Sequence, residues 1–355
     1  MGSLNKHFDG ARILITGGCG FIGSTLVRKL LRETNCLVLN LDKMGYASDL
    51  SLIEETIKNL GGKNFNRHKL FKTDLKNHSE VNSAINVANP DYVIHLAAES
   101  HVDNSIQSPK LFVDSNIIGT YNILEAVKNH YLGMNPSRKK SFKFLHISTD
   151  EVFGSLDEFG SFNESTQYDP RSPYSASKAA SDHLVNAWHH TFGIPVITTN
   201  CCNNYGPGQY PEKLIPKIIL NGLRGIQIPI YGDGENTRDW LFVEDHVKGI
   251  LKVLEKGIVG EKYCIGANEE KTNNEIANII CKILDEINPK DFPYKKLVEF
   301  VEDRSGHDKR YSIDSSKIQT KLKWKPKFTF EEGLKITINW YLNKFKSNNK
   351  NYQDI

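Results

Sequence analysis

The sequence predicts an α/β fold: a doubly wound parallel sheet with helices on both faces and a smaller lobe towards the carboxyl end. Three observations point there. Short β-branched runs alternate with longer helical patterns over the first 200 residues, as in βαβ units whose strands are buried on both faces. A glycine-rich turn joins the first strand to the first helix. After Asn200 the alternation breaks, and Pro and Gly crowd the stretch between Gly206 and Gly234.

Taken in order, residues 12–16 read as a buried strand and 21–33 as the amphipathic helix after the turn. Further strands are expected at 37–41, 69–72, 92–96, 142–147 and 196–199, with helices at 79–87, 117–128 and 175–191. Beyond the break, helical patterns recur at 243–255, 272–287 and 330–341, and the first of these is expected to return to the first lobe. Residues 1–200 then form the first domain and 201–343 mainly the second lobe. The Asn- and Lys-rich residues 344–355 form a flexible tail.

With 355 residues, 39% of them hydrophobic and 25% charged, the chain can bury a large core and is neither disordered nor fibrous. A formal net charge of +3 is too small to argue for nucleic acid or a membrane surface as a partner. The longest apolar stretches, 11–16 and 92–98, are far too short to span a bilayer. The amino terminus lacks the apolar run of a signal peptide, and Lys6 stands where myristoylation requires Ser or Thr. The six cysteines (Cys19, Cys36, Cys201, Cys202, Cys264, Cys281) form no CxxC pair. Reduced thiols in a cytoplasmic protein are the simplest expectation.

The segment Thr16-Gly17-Gly18-Cys19-Gly20-Phe21-Ile22-Gly23 lies where a Rossmann domain binds a dinucleotide. Glycines there let the backbone approach a pyrophosphate, whose charge rests on the helix amino terminus. Glycines alone also make ordinary turns. Asp42, however, closes the second strand about twenty residues on, where a carboxylate reaches both ribose hydroxyls and repels a 2′-phosphate. NAD is therefore expected over NADP, with Asp74 and Leu75 after the third strand flanking the adenine.

Tyr174-Ser175-Ala176-Ser177-Lys178 sets a phenol and an ammonium one helical turn apart. A neighbouring Lys⁺ stabilises phenolate and is expected to lower the tyrosine pKa, as a base near neutral pH requires. Such a pair by itself is commonly a surface coincidence; behind a dinucleotide fingerprint and five strands it reads as catalytic. His146-Ile147-Ser148-Thr149-Asp150-Glu151-Val152-Phe153-Gly154 then brings a hydroxyl and two carboxyls to the carboxyl edge of the sheet. Alcohol oxidation needs Thr149, Tyr174 and Lys178 only. Asp150 and Glu151 add an acid and a base, as the elimination of water demands.

These residues resemble the extended branch of the short-chain dehydrogenase/reductase superfamily. Within it, the chain is similar to the nucleotide-sugar 4,6-dehydratases, lyases of deoxysugar biosynthesis, and most nearly to those acting on dTDP-glucose. Besides Thr149-Asp150-Glu151, the likeness is carried by Ala97-Ala98-Glu99-Ser100-His101-Val102-Asp103 and Asn203-Asn204-Tyr205-Gly206-Pro207. Pro211-Glu212-Lys213-Leu214-Ile215-Pro216, Arg238-Asp239-Trp240 and Asp303-Arg304-Ser305-Gly306-His307-Asp308 add to it. It spans about residues 11–343. The resemblance implies that Tyr174, helped by Thr149 and Lys178, takes the proton of the sugar 4-hydroxyl while hydride leaves carbon 4. Glu151 would then remove the carbon-5 proton, and Asp150 would protonate the departing 6-hydroxyl.

It further implies that Lys43, Leu96, Ala97, Ala98, Ser115 and Asn204 join the glycines and Asp42 around NAD. Arg238 and Arg304 would hold the substrate diphosphate. Ser100, Thr149, Asn203, Lys213, Leu214, Tyr231, Asn273 and His307 would surround the rest of the nucleotide sugar. A homodimer is implied through the helices near 117–128 and 175–191. His95, His101 and His146 flank strand ends at spacings that suggest no metal site. Four positions depart from the family pattern: Asn104 in place of Arg, Phe153 of Tyr, Cys19 of Ala and Cys202 of Ser.

Three rival functions remain open from the residues. A UDP-glucose 4,6-dehydratase fits the same set. An epimerase or decarboxylase of the same branch has no need of Glu151. A silent NAD-binding sensor would be free to lose Thr149, Asp150, Glu151, Tyr174 and Lys178, all of which are present.

Overall fold

The computed structural model describes residues 3–61 and 66–347. Seven strands make the main sheet: β1 (Arg12–Thr16), β2 (Leu37–Asp42), β3 (His68–Lys72), β4 (Tyr92–His95), β5 (Lys143–Thr149), β6 (Val196–Cys201) and β10 (Lys262–Ile265). The remaining strands are β7 (Asn203–Tyr205), β8 (Ile228–Tyr231), β9 (Thr237–Phe242), β11 (Glu270–Thr272) and β12 (Val298–Val301).

The main sheet runs β10-β6-β5-β4-β1-β2-β3, and every pairing in it is parallel. The chain winds outwards from β1 to β3 and then returns to β4 on the other side of β1. That reversal leaves a crevice beyond the carboxyl ends of β1 and β4, the place where open α/β sheets bind ligands. Thr16 pairs with both Leu41 and His95 there.

Strands of this sheet must be apolar on both sides, and two cores cover it. On one side Leu26, Val27 and Leu30 pack with Val247, Ile250 and Leu254. These come from helices Phe21–Glu33 and Val243–Lys256, so the second of them lies against the large sheet. On the other side Val81, Ile85, Ile123, Val127 and Val185 belong to helices His78–Ala88, Gly119–Gly133 and Pro173–Phe192. A third core, with Ile218, Ile219, Ile280, Leu284, Leu334 and Ile338, unites helices Leu214–Arg224, Asn273–Ile287 and Phe330–Ser347. A three-stranded sheet β11-β9-β7 and a parallel pair β12-β8 accompany it.

The structure departs from the sequence reading at several places. β5 and β6 run two residues beyond their expected ends, through pairs Ser148–Asn200 and Thr149–Cys201. These residues are polar or small, so apolar patterning ends before the ladder does. β10 joins the main sheet beside β6 although it follows the break in the alternation. The last helix continues to Ser347, past the expected start of the tail, and Phe345 packs there against the third core. The rest of the expected tail, 348–355, lies outside the described residues.

Candidate active site

The turn after β1 is tight because glycine permits it. Gly17 has φ +71°, and a Cβ there would stand 2.8 Å from the backbone of Ala97 at the end of β4. A Cβ on Gly23 would lie 2.1 Å from the Gly17 carbonyl oxygen. The first turn of helix Phe21–Glu33 can thus pack directly on the loop. Gly23→Ala is expected to push the loop away from the helix, lowering stability by about 1–3 kcal/mol as overpacked sites do. Thermal unfolding, with NAD content measured alongside, checks this, and an unchanged melt with full NAD content would contradict the close-packing account.

Asp42 ends β2 and lines the same cleft. Its carboxylate accepts from the loop N–H of Cys19 at 2.9 Å, from Met44 N at 2.8 Å and from Ser48 Oγ at 2.9 Å. This fixes its direction at the strand end. Lys43 Nζ pairs with Glu99 and reaches Ser115 Oγ at 3.4 Å. Gly17, Gly20, Phe21, Ile22, Gly23, Asp42, Lys43, Asp74, Leu75, Leu96, Ala97, Ala98, Ser115, Tyr174, Lys178 and Asn204 all line this one cleft. The close-packed glycines, the strand-end carboxylate and the exposed helix amino terminus fit a dinucleotide.

A π-helical stretch, Val113–Ile118, closes the cleft from the side. Its Asn116 accepts from Glu99 N at 2.8 Å and donates to Glu99 O at 3.0 Å and to Ser177 Oγ at 2.8 Å. The Asn116 carbonyl also takes a bond from Ser181 Oγ at 2.7 Å. One residue therefore ties the loop after β4 to the helix that carries Tyr174 and Lys178.

That helix begins with a reciprocal capping box between Ser172 and Ser175, with Pro173 in its first turn. Tyr174 is thereby held at the amino end of the helix, buried beside the carboxyl end of β5. Burial drives the Tyr174 phenol well above its ordinary pKa, and the charge of Glu151 adds to this. A hydrogen bond with Thr149 pulls the other way. The phenol is thus raised, not lowered towards neutrality as expected from Lys178, and burial is the largest cause. Lys178 is itself buried and lowered by burial, and its Nζ donates to Ile147 O at 2.8 Å.

Asp150 and Glu151 open a 3₁₀ turn at the end of β5. Asp150 is 1% exposed, and burial followed by the Glu151 charge holds its carboxyl well above the usual range. Its Oδ2 has no protein partner among the described residues. Burial raises Glu151 too, but Arg304, Lys213 and Arg238 all oppose the rise. Both carboxyls are therefore raised, Asp150 the more strongly, while the three cations restrain Glu151.

The three cations approach from the second lobe and the loop before it. Lys213 Nζ donates to Ser100 O at 2.6 Å. Arg238 is buried on β9, donates to the carbonyls of Thr237, Asp308 and Lys309, and stacks 4.3 Å over the Tyr311 ring. Arg304 lies 3.6 Å from Asp103, which also accepts from the Tyr231 hydroxyl at 3.1 Å. His307 meets the Tyr231 ring edge-on and is bound by Asp303 at 2.6 Å. Ser100, Thr149, Asn203 and Lys213 line the cofactor cleft directly. Asn273 is buried at the start of its helix, its N–H bonded to Asn236 O at 3.2 Å. Leu214 packs on the third core.

Residues 14–337 match the GDP-mannose 4,6 dehydratase family model. The dTDP-glucose 4,6-dehydratase of Shigella flexneri is 48% identical, covering 93% of this chain and 92% of that one. The chain belongs to the nucleotide-sugar 4,6-dehydratase family. The crystal structure of the Streptomyces venezuelae dTDP-glucose 4,6-dehydratase DesIV, which has NAD bound, superposes with a TM-score of 0.84 at 39% identity. It covers 95% of this chain and 98% of that one. UDP-glucose 4-epimerase from Thermotoga maritima shares the fold at a TM-score of 0.80 but only 27% identity, covering 94% of this chain and 99% of that one.

Against that family pattern, the departures have visible places. Asn104 turns towards the cofactor side and donates to Tyr46 Oη at 3.4 Å. Tyr46 in turn donates to Glu212 at 3.2 Å and meets the Tyr210 ring edge-on. Glu212, from the Pro211–Pro216 run, lines the cleft with Tyr46 and Tyr210, two residues not singled out from the sequence. Their only signal was position, in loops directly following Asp42 and Gly208. Cys19 accepts a hydrogen bond from Asn40 at 3.2 Å, and burial pushes its thiol up to about 12. Cys202 is buried beside Asp239, and its thiol is driven well above the usual range, chiefly by burial. Phe153 packs on Phe162 and Tyr168.

Proposed function

We propose that this chain is a dTDP-glucose 4,6-dehydratase, a hydro-lyase that yields dTDP-4-keto-6-deoxyglucose and water. The observation that carries this reading is the divergence of Asp150 and Glu151. Elimination across carbons 5 and 6 needs a base for one proton and an acid for the departing hydroxyl. Adjacent carboxyls would ordinarily titrate together. Here burial and the Glu151 charge raise the first strongly with Arg238 opposing, while the second is raised against Arg304, Lys213 and Arg238 together.

In this reading Tyr174 accepts the proton of the 4-hydroxyl, with the Thr149 hydroxyl beside it and the Lys178 ammonium supporting the phenolate. The glycine turn, Asp42 and the cleft wall would hold NAD, which would supply the hydride acceptor at carbon 4 and the donor at carbon 6. Once carbon 4 is a ketone, the carbon-5 proton is acidic enough for Glu151 to take. Asp150, whose free oxygen has no protein partner, donates to the 6-hydroxyl as it leaves. Arg238 and Arg304 meet the diphosphate, and Lys213, Tyr231, Asn273 and His307 surround the nucleotide.

Among the described residues no helix is long and apolar enough to cross a membrane. A cytoplasmic enzyme acting as a homodimer completes the proposal. The apolar side chains of Leu111, Val113, Ile118 and Tyr121, each more than 40% exposed, support a partner face on the helices near the π-helical stretch.

The deciding experiment incubates the purified protein with dTDP-glucose and, separately, UDP-glucose, and weighs the products. Loss of one water without net NADH is expected, faster with dTDP-glucose. A product of unchanged mass would overturn dehydration and favour epimerisation. Faster loss of water from UDP-glucose would transfer the assignment to the other nucleotide.

A further inference from the structure

Behind the lysine of the site lies a buried carboxylate that none of these steps uses. Asp182 follows Lys178 by one turn of helix Pro173–Phe192, so the two side chains leave on one face. Its Oδ1 accepts from His146 Nε2 at 2.9 Å. Its Oδ2 accepts from Ser148 Oγ at 2.9 Å, from Tyr168 Oη at 2.7 Å and from Asn200 Nδ2 at 3.4 Å. The donors belong to β5, β6 and the loop before the helix. Burial raises the Asp182 carboxyl, but these donors, with His146 first, bring it below its usual range. A carboxylate with only 2% of its side chain exposed is thus kept ionised.

The charge has one neighbour that needs it. Burial lowers Lys178, and the opposing attraction comes first from Asp182 and then from Cys201. Other carboxyls reach the enclosure through its cysteines: Glu164 accepts from Cys264 N at 2.9 Å, and the charges of Asp150 and Glu151 act on Cys201. Cys201 on β6 and Cys264 on β10 are thiols driven up by burial. His95 on β4 and His146 on β5, stacked at 5.4 Å, are both driven down by burial. Tyr168 is driven up, and Lys262 on β10 caps its hydroxyl from outside at 3.0 Å. Asp182 is the carboxylate whose attraction on Lys178 comes first.

We infer that Asp182 is a positioning residue that holds Lys178 in its ammonium form and acts on Tyr174 through it. The inference rests on the proposed roles of Tyr174 and Lys178. A neutral Lys178 would leave the buried phenolate without its cation, and deprotonation of Tyr174 would move to higher pH.

Asp182→Asn, nearly isosteric, is purified with its cofactor and compared with the unaltered protein in single turnovers across pH. Its rising limb is expected to move to higher pH by about one unit, with roughly tenfold loss at neutral pH that alkali recovers. Asp182→Glu should stay closer to the original limb. A profile of unchanged position, merely scaled down, would make Asp182 a structural tie and overturn the inference. Should Asp182→Asn fail to fold, the Nζ resonance of Lys178 in the unaltered protein, assigned by its loss in Lys178→Met, decides. An ammonium signal at neutral pH supports the inference and an amine signal overturns it. That measurement needs no turnover, so it stands apart from a failure of the protein to dehydrate either sugar.

Discussion

Tyr174→Phe is expected to fold normally and to form no NADH when given dTDP-glucose, losing about 10²–10⁴-fold in rate as a removed general base does. The fold should survive because the ring does the packing. Tyr174 meets Phe112 edge-on at 6.3 Å, and the Ser172–Ser175 capping box that starts its helix does not involve the phenol. No neighbour can take over. Lys178 is committed to the Ile147 carbonyl, and the Thr149 hydroxyl receives the Glu151 N–H at 3.3 Å and bonds Asp150. In the unaltered protein, burial and Glu151 hold the phenol above its usual range. The oxidation step should therefore keep rising on the alkaline side, where more phenolate is present. Single-turnover absorbance, with a melting curve as control, checks both points. Undiminished NADH formation in a well-folded variant would contradict the role given to Tyr174.

How much of this was legible in the sequence depends on what each residue answers to. The strand–glycine–helix start was readable because Gly17 and Gly23 are dictated locally, by a positive φ and by a Cβ that has no room. The Thr149-Asp150-Glu151 run was readable because polar residues at the end of an apolar strand stand out. The extension of β5 and β6 through Ser148 and Asn200 was not, since their polarity serves Asp182, which the strand pattern does not include. Asn116 was not singled out, standing just before the helix expected at 117–128. Its work depends on a π-helical widening and on Glu99 and Ser177, and neither residue is within ten positions of it in sequence. The contact between Tyr46 and Glu212 was similarly hidden, since it joins partners 166 residues apart. The misjudged Tyr174 environment has the same origin. The sequence supplied the nearby cation, but only the fold supplies the depth of burial.

Glu151→Gln should separate oxidation from elimination. Tyr174, Thr149 and Lys178 remain in place, so NADH is expected to appear on mixing with substrate. It should then persist, with loss of water slowed by about 10²–10⁴-fold. Gln keeps the shape of the side chain and its place among Arg304, Lys213 and Arg238, but cannot take the carbon-5 proton. Exchange of that proton with heavy water, read by mass, should vanish along with dehydration. The pH dependence adds a second check whose sign follows from the two environments. Elimination needs Glu151 ionised and Asp150 protonated. Both carboxyls are raised by burial, Asp150 more strongly because no cation outweighs the Glu151 charge beside it. Activity should fall towards acid as Glu151 takes up its proton, and towards alkali as Asp150 loses its own. The acid limb belongs to Glu151 and should be missing from whatever slow elimination Glu151→Gln retains. Normal turnover in that variant, or an unchanged acid limb, would pass the role of base to another residue. Asp150 is a poor substitute, because the same burial that suits it to give a proton disfavours the anion that would take one.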